Sequence, residues 1–123
     1  MSVKYKEIET EVGYIKPVRD AIYIDSFEQK HNSIIIKGEI NSLFCSIKRD
    51  DHKWYRFELV MEQVSEYTAI DEEHFYAKTR IHTESDFSEY TDGSGNRVFI
   101  LQTYDWSYII KCREHKFKIT GYR

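Results

Sequence analysis

Residues 97–120, RVFILQTYDWSYIIKCREHKFKIT, decide the fold, because the apolar pattern changes three times within them. Positions 98–101 are all apolar, which is typical of a central strand covered on both faces. In DWSYIIKC the apolar residues fall on even positions, and in KFKIT they fall on odd positions. A strand cannot change its buried face without a turn or a bulge. The stretch therefore predicts three antiparallel strands in a meander, separated by turns at 104–105 and 113–116.

Alternation of apolar and polar residues with a period of two predicts further strands in the first half of the chain. The segments are AIYIDSF (21–27), SIIIKGEI (33–40), SLFCSIK (42–48) and WYRFELVMEQV (54–64). The first two are expected to form a hairpin with its loop at 30–32. Gly38 inside the second strand indicates a bulge or a close backbone contact. The fourth segment has one apolar face and one wet face, which carries Glu58 and Glu62.

The remaining segments predict little regular structure. Apolar residues recur at helical spacing over 5–15, which predicts a short N-terminal helix or an irregular arm. Asp71 and Ser85 are each suited to cap a short helix in the segment between the strands. DGSGN (92–96) reads as a loop before the strand that follows it. The predicted class is α+β and β-rich, a mainly antiparallel meander sheet with a few short helices in a single domain spanning 1–123.

The composition is that of a folded chain, with 41% hydrophobic and 15% aromatic residues. No apolar run approaches the ~18 residues of a membrane-spanning helix. The N-terminal MSVKYKEIETEV lacks the apolar core of a signal peptide, so we expect a cytoplasmic protein with no membrane partner. Cys45 and Cys112 lie in apolar strand patterns, which predicts buried and reduced thiols.

Charge is distributed unevenly along the chain, whose formal net charge is −3. Residues 58–92 contain ten acidic side chains and only two basic ones, so the rest of the chain is basic. Such a block either forms a solvated face or steers a partner of opposite sign. The candidate partner-binding residues are Glu58, Glu62, Asp71, Glu72, Glu73, Glu84 and Asp86.

No motif fixes a catalytic chemistry or a cofactor. In HTESD (82–86), His82, Glu84 and Asp86 would share one face of a strand, with His74 nearby in sequence, and could hold a divalent metal. None of the known zinc spacings is present, so we favour a solvated acidic segment and expect no metal. The cysteines lie mid-strand, where a structural role is the simpler interpretation.

Two other features leave alternatives open. The C-terminal strand carries Lys116 and Lys118 with aromatics between them, a pattern that can bind single-stranded nucleic acid or can protect a sheet edge from aggregation. The negative net charge favours edge protection, so we expect no nucleic-acid partner. Trp54 and Trp106 each begin a strand, and either could belong to the core or to an interface.

A resemblance to a known class of proteins rests on three segments. They are YRFELVMEQV (55–64), SDFSEY (85–90) and VFILQTYDWSYIIKC (98–112), which contains a Thr-Tyr-Asp break between two strands. Within 55–119 the chain resembles small bacterial immunity proteins of polymorphic-toxin and contact-dependent-inhibition systems. The resemblance implies a cytoplasmic protein that binds one cognate toxin domain, for example a nuclease with a basic cleft, and blocks it. Such proteins act through whole surfaces, so no catalytic residue is implied.

The leading hypothesis is therefore an immunity-type inhibitor, not an enzyme, whose acidic surface contacts a basic toxin domain. The alternative is a small β-rich enzyme or ligand-binding domain with an unrecognised pocket. A subunit that works only in an assembly is a third possibility, and the oligomeric state is not determined by the sequence.

Overall fold

The computed structural model describes residues 5–48, 53–71 and 85–123, and in these ranges the chain forms two antiparallel sheets. We call β2-β3-β4-β9 the front sheet and β1-β6-β7-β8-β5 the back sheet, each named in the order of its hydrogen-bonded neighbours. The strands are β1 (Lys6–Glu7), β2 (Ile22–Lys30), β3 (Ser33–Asn41), β4 (Trp54–Glu62), β5 (Glu66–Asp71), β6 (Phe87–Thr91), β7 (Arg97–Gln102), β8 (Trp106–Lys111) and β9 (Glu114–Tyr122). The β-rich, antiparallel part of the predicted class is confirmed.

The core lies between the two sheets and is built from residues at alternate strand positions. Ile36 of β3 pairs with Leu59 of β4, and both are fully buried. Phe87 and Phe99 of the back sheet meet β9 across the core, with the Phe99 ring 4.6 Å from the His115 ring. Burying each large apolar side chain contributes ~1.5–3 kcal/mol to folding, so the period-two pattern in the sequence marks the interior faces directly.

The chain crosses between the sheets twice at one corner. After β4 it bends at Gln63, which has a φ of 55°, and enters the back sheet as β5. After β8 it makes the reverse crossing into β9. The corner is closed by backbone bonds, since Ser65 N donates to Lys111 O at 2.9 Å and Arg113 N donates to Glu62 O at 3.3 Å. Strands that switch sheets at bends are typical of packed two-sheet folds.

The meander prediction is right for β7 and β8 and wrong for β9. β7 lies between β6 and β8, and positions 98–102 are buried on both faces, as the continuous apolar run predicted. β9 instead pairs with β4, from Tyr55 opposite Tyr122 to Glu62 opposite Glu114. The change from even to odd apolar positions therefore marks a change of sheet rather than a turn within one.

The β2–β3 hairpin confirms the predicted loop and the predicted role of Gly38. His31 and Asn32 connect the strands, with His31 in the left-handed region at a φ of 56°. The register of β2 shifts between Ile24 and Ser26, close to Gly38. A Cβ at Gly38 would lie 2.1 Å from the carbonyl oxygen of Tyr23, so only glycine fits there.

The predicted helices are not found in the described ranges, where the one helical element is a 3₁₀ turn at Ser42–Phe44. That turn also shows that the strand predicted over 42–48 is wrong. It forms because the Asn41 side chain accepts a hydrogen bond from Leu43 N at 3.0 Å. No helix in these ranges is long and apolar enough to cross a membrane.

The segment before β2 is an irregular arm rather than a helix. β1 pairs with β6, and the Glu11 side chain accepts a hydrogen bond from Ile119 N of β9, so the arm contacts both sheets. Of the apolar residues at helical spacing, Ile8, Val12 and Ile15 are buried in the core, whereas Tyr5 is exposed. Ser85 caps no helix, since its hydroxyl accepts a bond from Phe87 N at 3.2 Å at the start of β6. Asp71 ends β5, and a helix starting there would lie outside the described residues.

Candidate functional site

The outer face of the front sheet carries the wet side of β4, as predicted. Glu58 lies between Lys37 of β3 and Lys118 of β9 in the strand register, and Glu62 lies opposite Glu114 of β9. The sequence pattern thus identified the exposed face correctly. It did not reveal which side chains from the neighbouring strands stand beside each acid.

Glu58 is overlaid by two lysines. Its carboxylate oxygens lie 3.8 Å from Lys37 Nζ and 3.5 Å from Lys118 Nζ. The Glu58 side chain is 22% exposed, whereas those of Lys37 and Lys118 are 56% and 53% exposed. The ammonium groups therefore form the outermost layer of this row. Each exposed ion pair is worth ~0.2–1 kcal/mol, so the arrangement matters more for surface charge than for stability.

The neighbouring row repeats this arrangement with arginines. Glu39 Oε2 lies 3.2 Å from Arg123 Nε, and its Oε1 lies 4.0 Å from Arg56 Nε. The Glu39 side chain is 14% exposed, against 56% for each arginine. We call Lys37, Arg56, Lys118 and Arg123 the basic layer. In both rows a short acid is covered by two longer cations.

A continuous stack of rings and guanidinium groups borders the basic layer. The Tyr23 ring stacks on the Tyr104 ring at 4.9 Å and meets the Trp54 ring edge-on at 5.4 Å. Arg19 covers Tyr104 at 4.6 Å, and Arg123 covers Trp54 at 5.3 Å. We call these five residues the aromatic–arginine ladder. Each cation–π contact is worth ~0.5–1 kcal/mol at an exposed site.

The turn between β7 and β8 brings Tyr104 to the front sheet. Thr103 orders the turn, because its hydroxyl donates to Trp106 O at 2.6 Å and its backbone N donates to the same oxygen at 2.9 Å. Tyr104 N then donates to Ile22 O at 2.8 Å, on the edge of β2. The Tyr104-Asp105 break seen in the sequence is therefore the joint between the two sheets at this end. Trp106, which follows it, is exposed.

The ladder has its own electrostatic environment. Burial raises the pKa of Tyr23, and the nearby Asp20 and Tyr104 raise it further. Its hydroxyl therefore remains protonated at neutral pH. The ladder residues are half-buried, except for the exposed Arg123, which follows the end of β9 and whose backbone N donates to Trp54 O at 3.0 Å. Tyr23 and Trp54 lie on strands, and Arg19 and Tyr104 lie in turns or bends. Such a surface can bind a partner with little loss of side-chain entropy.

A groove of about 630 Å³ lies along β9, lined by residues of β4 and β9 together with Arg97 and Arg113. His115 is half-buried in its wall, and burial followed by the nearby Arg97 lowers its pKa. Arg97 is held by Glu89, with Nε 2.9 Å from Oε2. The groove volume falls within the range of small-molecule sites. Its lining is mostly charged, and in the described residues it contains no serine, threonine or cysteine.

The other predicted acids do not join Glu58 and Glu62. Asp71 is half-buried at the end of β5, on the back sheet. Asp86 is completely buried, because its backbone N donates to Ile15 O and the arm packs over it. It therefore cannot contribute to an exposed acidic surface. Glu72, Glu73 and Glu84 lie outside the described residues, as do His74 and His82 of the weighed metal set.

The residues that the structure describes form neither a metal site nor a reactive-thiol site. No group of three histidine, cysteine or acidic side chains there could hold a metal ion. Cys45 and Cys112 are buried free thiols, as predicted, and burial raises the pKa of each to about 11. Both are therefore protonated, and weak nucleophiles, at neutral pH.

Comparison of the chain with protein-family models, with curated proteins and with solved structures finds no match. The residues that converge at the ladder come from distant parts of the sequence, at positions 19, 23, 54, 104 and 123. Two of them carry a partial signal in the sequence, Trp54 at the start of a strand and Tyr104 in the Tyr104-Asp105 break. Nothing in the sequence connected them to each other or to the arginines.

Proposed function

We propose that this chain is a binding protein that recognises one protein partner through the aromatic–arginine ladder. In the form that the resemblance implies, the partner is a toxin domain in the bacterial cytoplasm, which the chain neutralises by covering it. The single observation that carries the proposal is the stack of three aromatic rings between two arginines at the exposed end of the molecule.

Tyrosine, tryptophan and arginine are the residues that most often dominate binding energy at protein interfaces. Here they are adjacent, partly exposed and held in fixed orientations. The neighbouring exposed Trp106 could extend the same surface at the joint between the sheets. An acidic contact surface receives less support, because Glu58 is covered by lysines and Asp86 is buried.

The experiment is to express the product of the adjacent gene in a bacterial host, with and without this chain, and to measure growth and binding of the purified pair. We expect the neighbouring product to arrest growth and the wild-type chain to restore it. The double variant Trp54→Ala/Tyr104→Ala should bind at least ~30-fold more weakly, since a central hot spot contributes 2 kcal/mol or more. It should no longer restore growth.

The matched control is Tyr14→Ala, which removes an exposed ring of the N-terminal arm. Its side chain makes only a long 3.5 Å contact with Glu9 among the described residues. Circular dichroism should show that all variants retain the sheet structure. Growth restored equally by the ladder variant and the wild type would refute the ladder as the contact surface. A neighbouring product that causes no growth arrest would refute the toxin-neutralising form of the proposal.

The groove along β9 supports the alternative function of a ligand-binding domain or an enzyme. His115 is the imidazole side chain in its lining, with a pKa lowered by burial and by Arg97, and Arg97 and Arg113 could orient an anionic group. A screen of small carboxylates and phosphates by thermal shift would test it. A ligand whose stabilisation is abolished by Arg113→Met would establish this second function alongside the first.

A further inference from the structure

Two adjacent rows of the front sheet's outer face, those of Glu58 and Glu39, carry more cations than acids, although the chain as a whole is acidic. In both rows the acid is the less exposed member, at 14% and 22%, while the four cations of the basic layer are 53–56% exposed. Each row has two cations for one acid. A partner approaching these two rows therefore meets side chains of lysine and arginine that are more exposed than the acids between them.

The shape of the face suits an extended partner. A concavity of about 360 Å³ lies between Lys37, Arg56 and Glu58, and Glu58 also lines the groove along β9. The two depressions thus meet at the centre of the sheet. Lys116 of β9 adds a further exposed cation to the groove, whose lining also includes the exposed acids Glu62 and Glu114. Cations and acids alternate along the two depressions, and the excess of cations is confined to the rows of Glu58 and Glu39.

The ring contacts indicate what kind of polyanion fits. Binding of single-stranded nucleic acid depends on bases stacking on open aromatic faces. On this surface the Tyr104 ring is stacked with Tyr23 and covered by Arg19, and Trp54 is covered by Arg123. The rings are therefore already engaged within the molecule. Carboxylates do not need an open aromatic face, because the guanidinium group of arginine binds them through two parallel hydrogen bonds.

We propose that the basic layer recognises an acidic polypeptide surface, next to the contacts made by the aromatic–arginine ladder. This inference rests on the proposed function, because it assigns the charge of the partner that the ladder binds. It reverses the sign expected from the acidic block in the sequence. Charge complementarity of this kind acts mainly on association rate and on the choice of partner.

The test uses a labelled poly-glutamate peptide as the probe, with poly-lysine and oligo-thymidylate as comparison probes, at low and high salt. Wild-type protein should bind poly-glutamate, and the binding should weaken as salt rises. Glu58→Gln should strengthen it by about two- to five-fold, because it removes the acid beneath two lysines. Lys37→Gln/Lys118→Gln should weaken it by about as much or more.

The matched control is Lys16→Gln/Lys48→Gln, which changes the formal charge equally. Both lysines are exposed. Lys16 belongs to the N-terminal arm, where its backbone N donates to Phe44 O, and Lys48 follows Ile47, whose backbone N donates to Val12 O of the same arm. This control should bind poly-glutamate as the wild type does. The sign of the Glu58→Gln effect decides between a basic and an acidic contact face.

Weaker binding by Glu58→Gln, preference for poly-lysine, or no binding of poly-glutamate would overturn the proposal. Binding of oligo-thymidylate as tight as that of poly-glutamate would overturn its assignment to a polypeptide. These outcomes concern only the charge of the partner. The proposed function is tested separately, by the growth assay and by partner binding of the Trp54→Ala/Tyr104→Ala variant. Ladder-dependent growth protection without poly-glutamate binding would leave the binding function intact and remove only the charge assignment.

Discussion

Replacement of Gly38 by alanine should distort the front sheet beneath the ladder. The new Cβ would lie 2.1 Å from the carbonyl oxygen of Tyr23, 3.1 Å from Ile24 Cα and 3.0 Å from Phe57 Cε1. The first two atoms are backbone in the paired strand, so no change of side-chain rotamer can relieve the contact. The strand β2 must move away from β3, and Tyr23 moves with it.

The expected cost follows from the overlap. Overpacking a well-fitted site usually costs ~1–3 kcal/mol, and a backbone contact this close belongs at the upper end. With a urea m-value of ~1.5–2 kcal/mol/M, about 3 kcal/mol lowers the unfolding midpoint by roughly 1.5–2 M. Because Tyr23 is the centre of the ladder, partner binding should weaken as well.

Gly121→Ala is the matched control within the same sheet. At Gly121 the nearest atom to a new Cβ is Arg56 Cδ at 3.9 Å, an ordinary van der Waals distance. Alanine there should leave stability unchanged or raise it by ~0.4–1 kcal/mol, since it restricts the unfolded chain. Urea unfolding followed by tryptophan fluorescence measures both variants. Equal midpoints for the two variants would refute the inferred close approach of β2 to Gly38.

Two further predictions concern titratable side chains of the interior. Burial and the nearby Arg97 lower the pKa of His115 in the folded protein, so the unfolded chain binds a proton there more readily. The free energy of unfolding should therefore be at its full value above pH ~6.5 and should decrease as the pH falls below it. His115→Gln should reduce this loss of stability, measured by urea unfolding between pH 5 and 7. An unchanged dependence of the unfolding free energy on pH would contradict the prediction. Cys45 and Cys112, each with its pKa raised to about 11, should react with a thiol reagent only at the rate of unfolding. Rapid labelling of the native protein at pH 7 would count against their burial.

The strands were predictable because burial of one face imposes a period of two on the sequence. β2, β3, β4, β7 and β8 all follow from that pattern. The hairpin loop and the role of Gly38 follow from turn chemistry and from the cost of glycine within a strand. These are local signals, and the structure confirms them for these five strands and for the hairpin.

The errors arose where the same pattern has two physical causes. A change of buried face marks either a turn within a sheet or a crossing to another sheet, and β9 took the second route to pair with β4. Leu43 and Ile47 alternate as a strand does, yet both are exposed around the 3₁₀ turn. Tertiary pairing decides such cases, and no short window of sequence contains it.

The candidate site was less predictable than the fold because surface charge on a sheet depends on cross-strand neighbours. The acidic block at 58–92 is contiguous in sequence, but its described acids are divided between the front sheet, the back sheet and the interior. Glu58 acquires Lys37 and Lys118 from strands distant in the sequence. Counting charge along the chain therefore does not show which charges stand side by side on this row.

Side-chain length then decides which charge is outermost. Lysine and arginine carry long apolar stems that lie along a surface and hold the cation above it, whereas a glutamate between them ends closer to the sheet. When acids and bases alternate across a flat sheet, the longer cations cover the acids. An acidic protein can thus present a local patch in which cations outnumber acids, without any excess of basic residues in its composition. The sign of the Glu58→Gln effect on binding tests this step directly, because removing an acid strengthens the binding of a polyanion only if the cations above it make the contact.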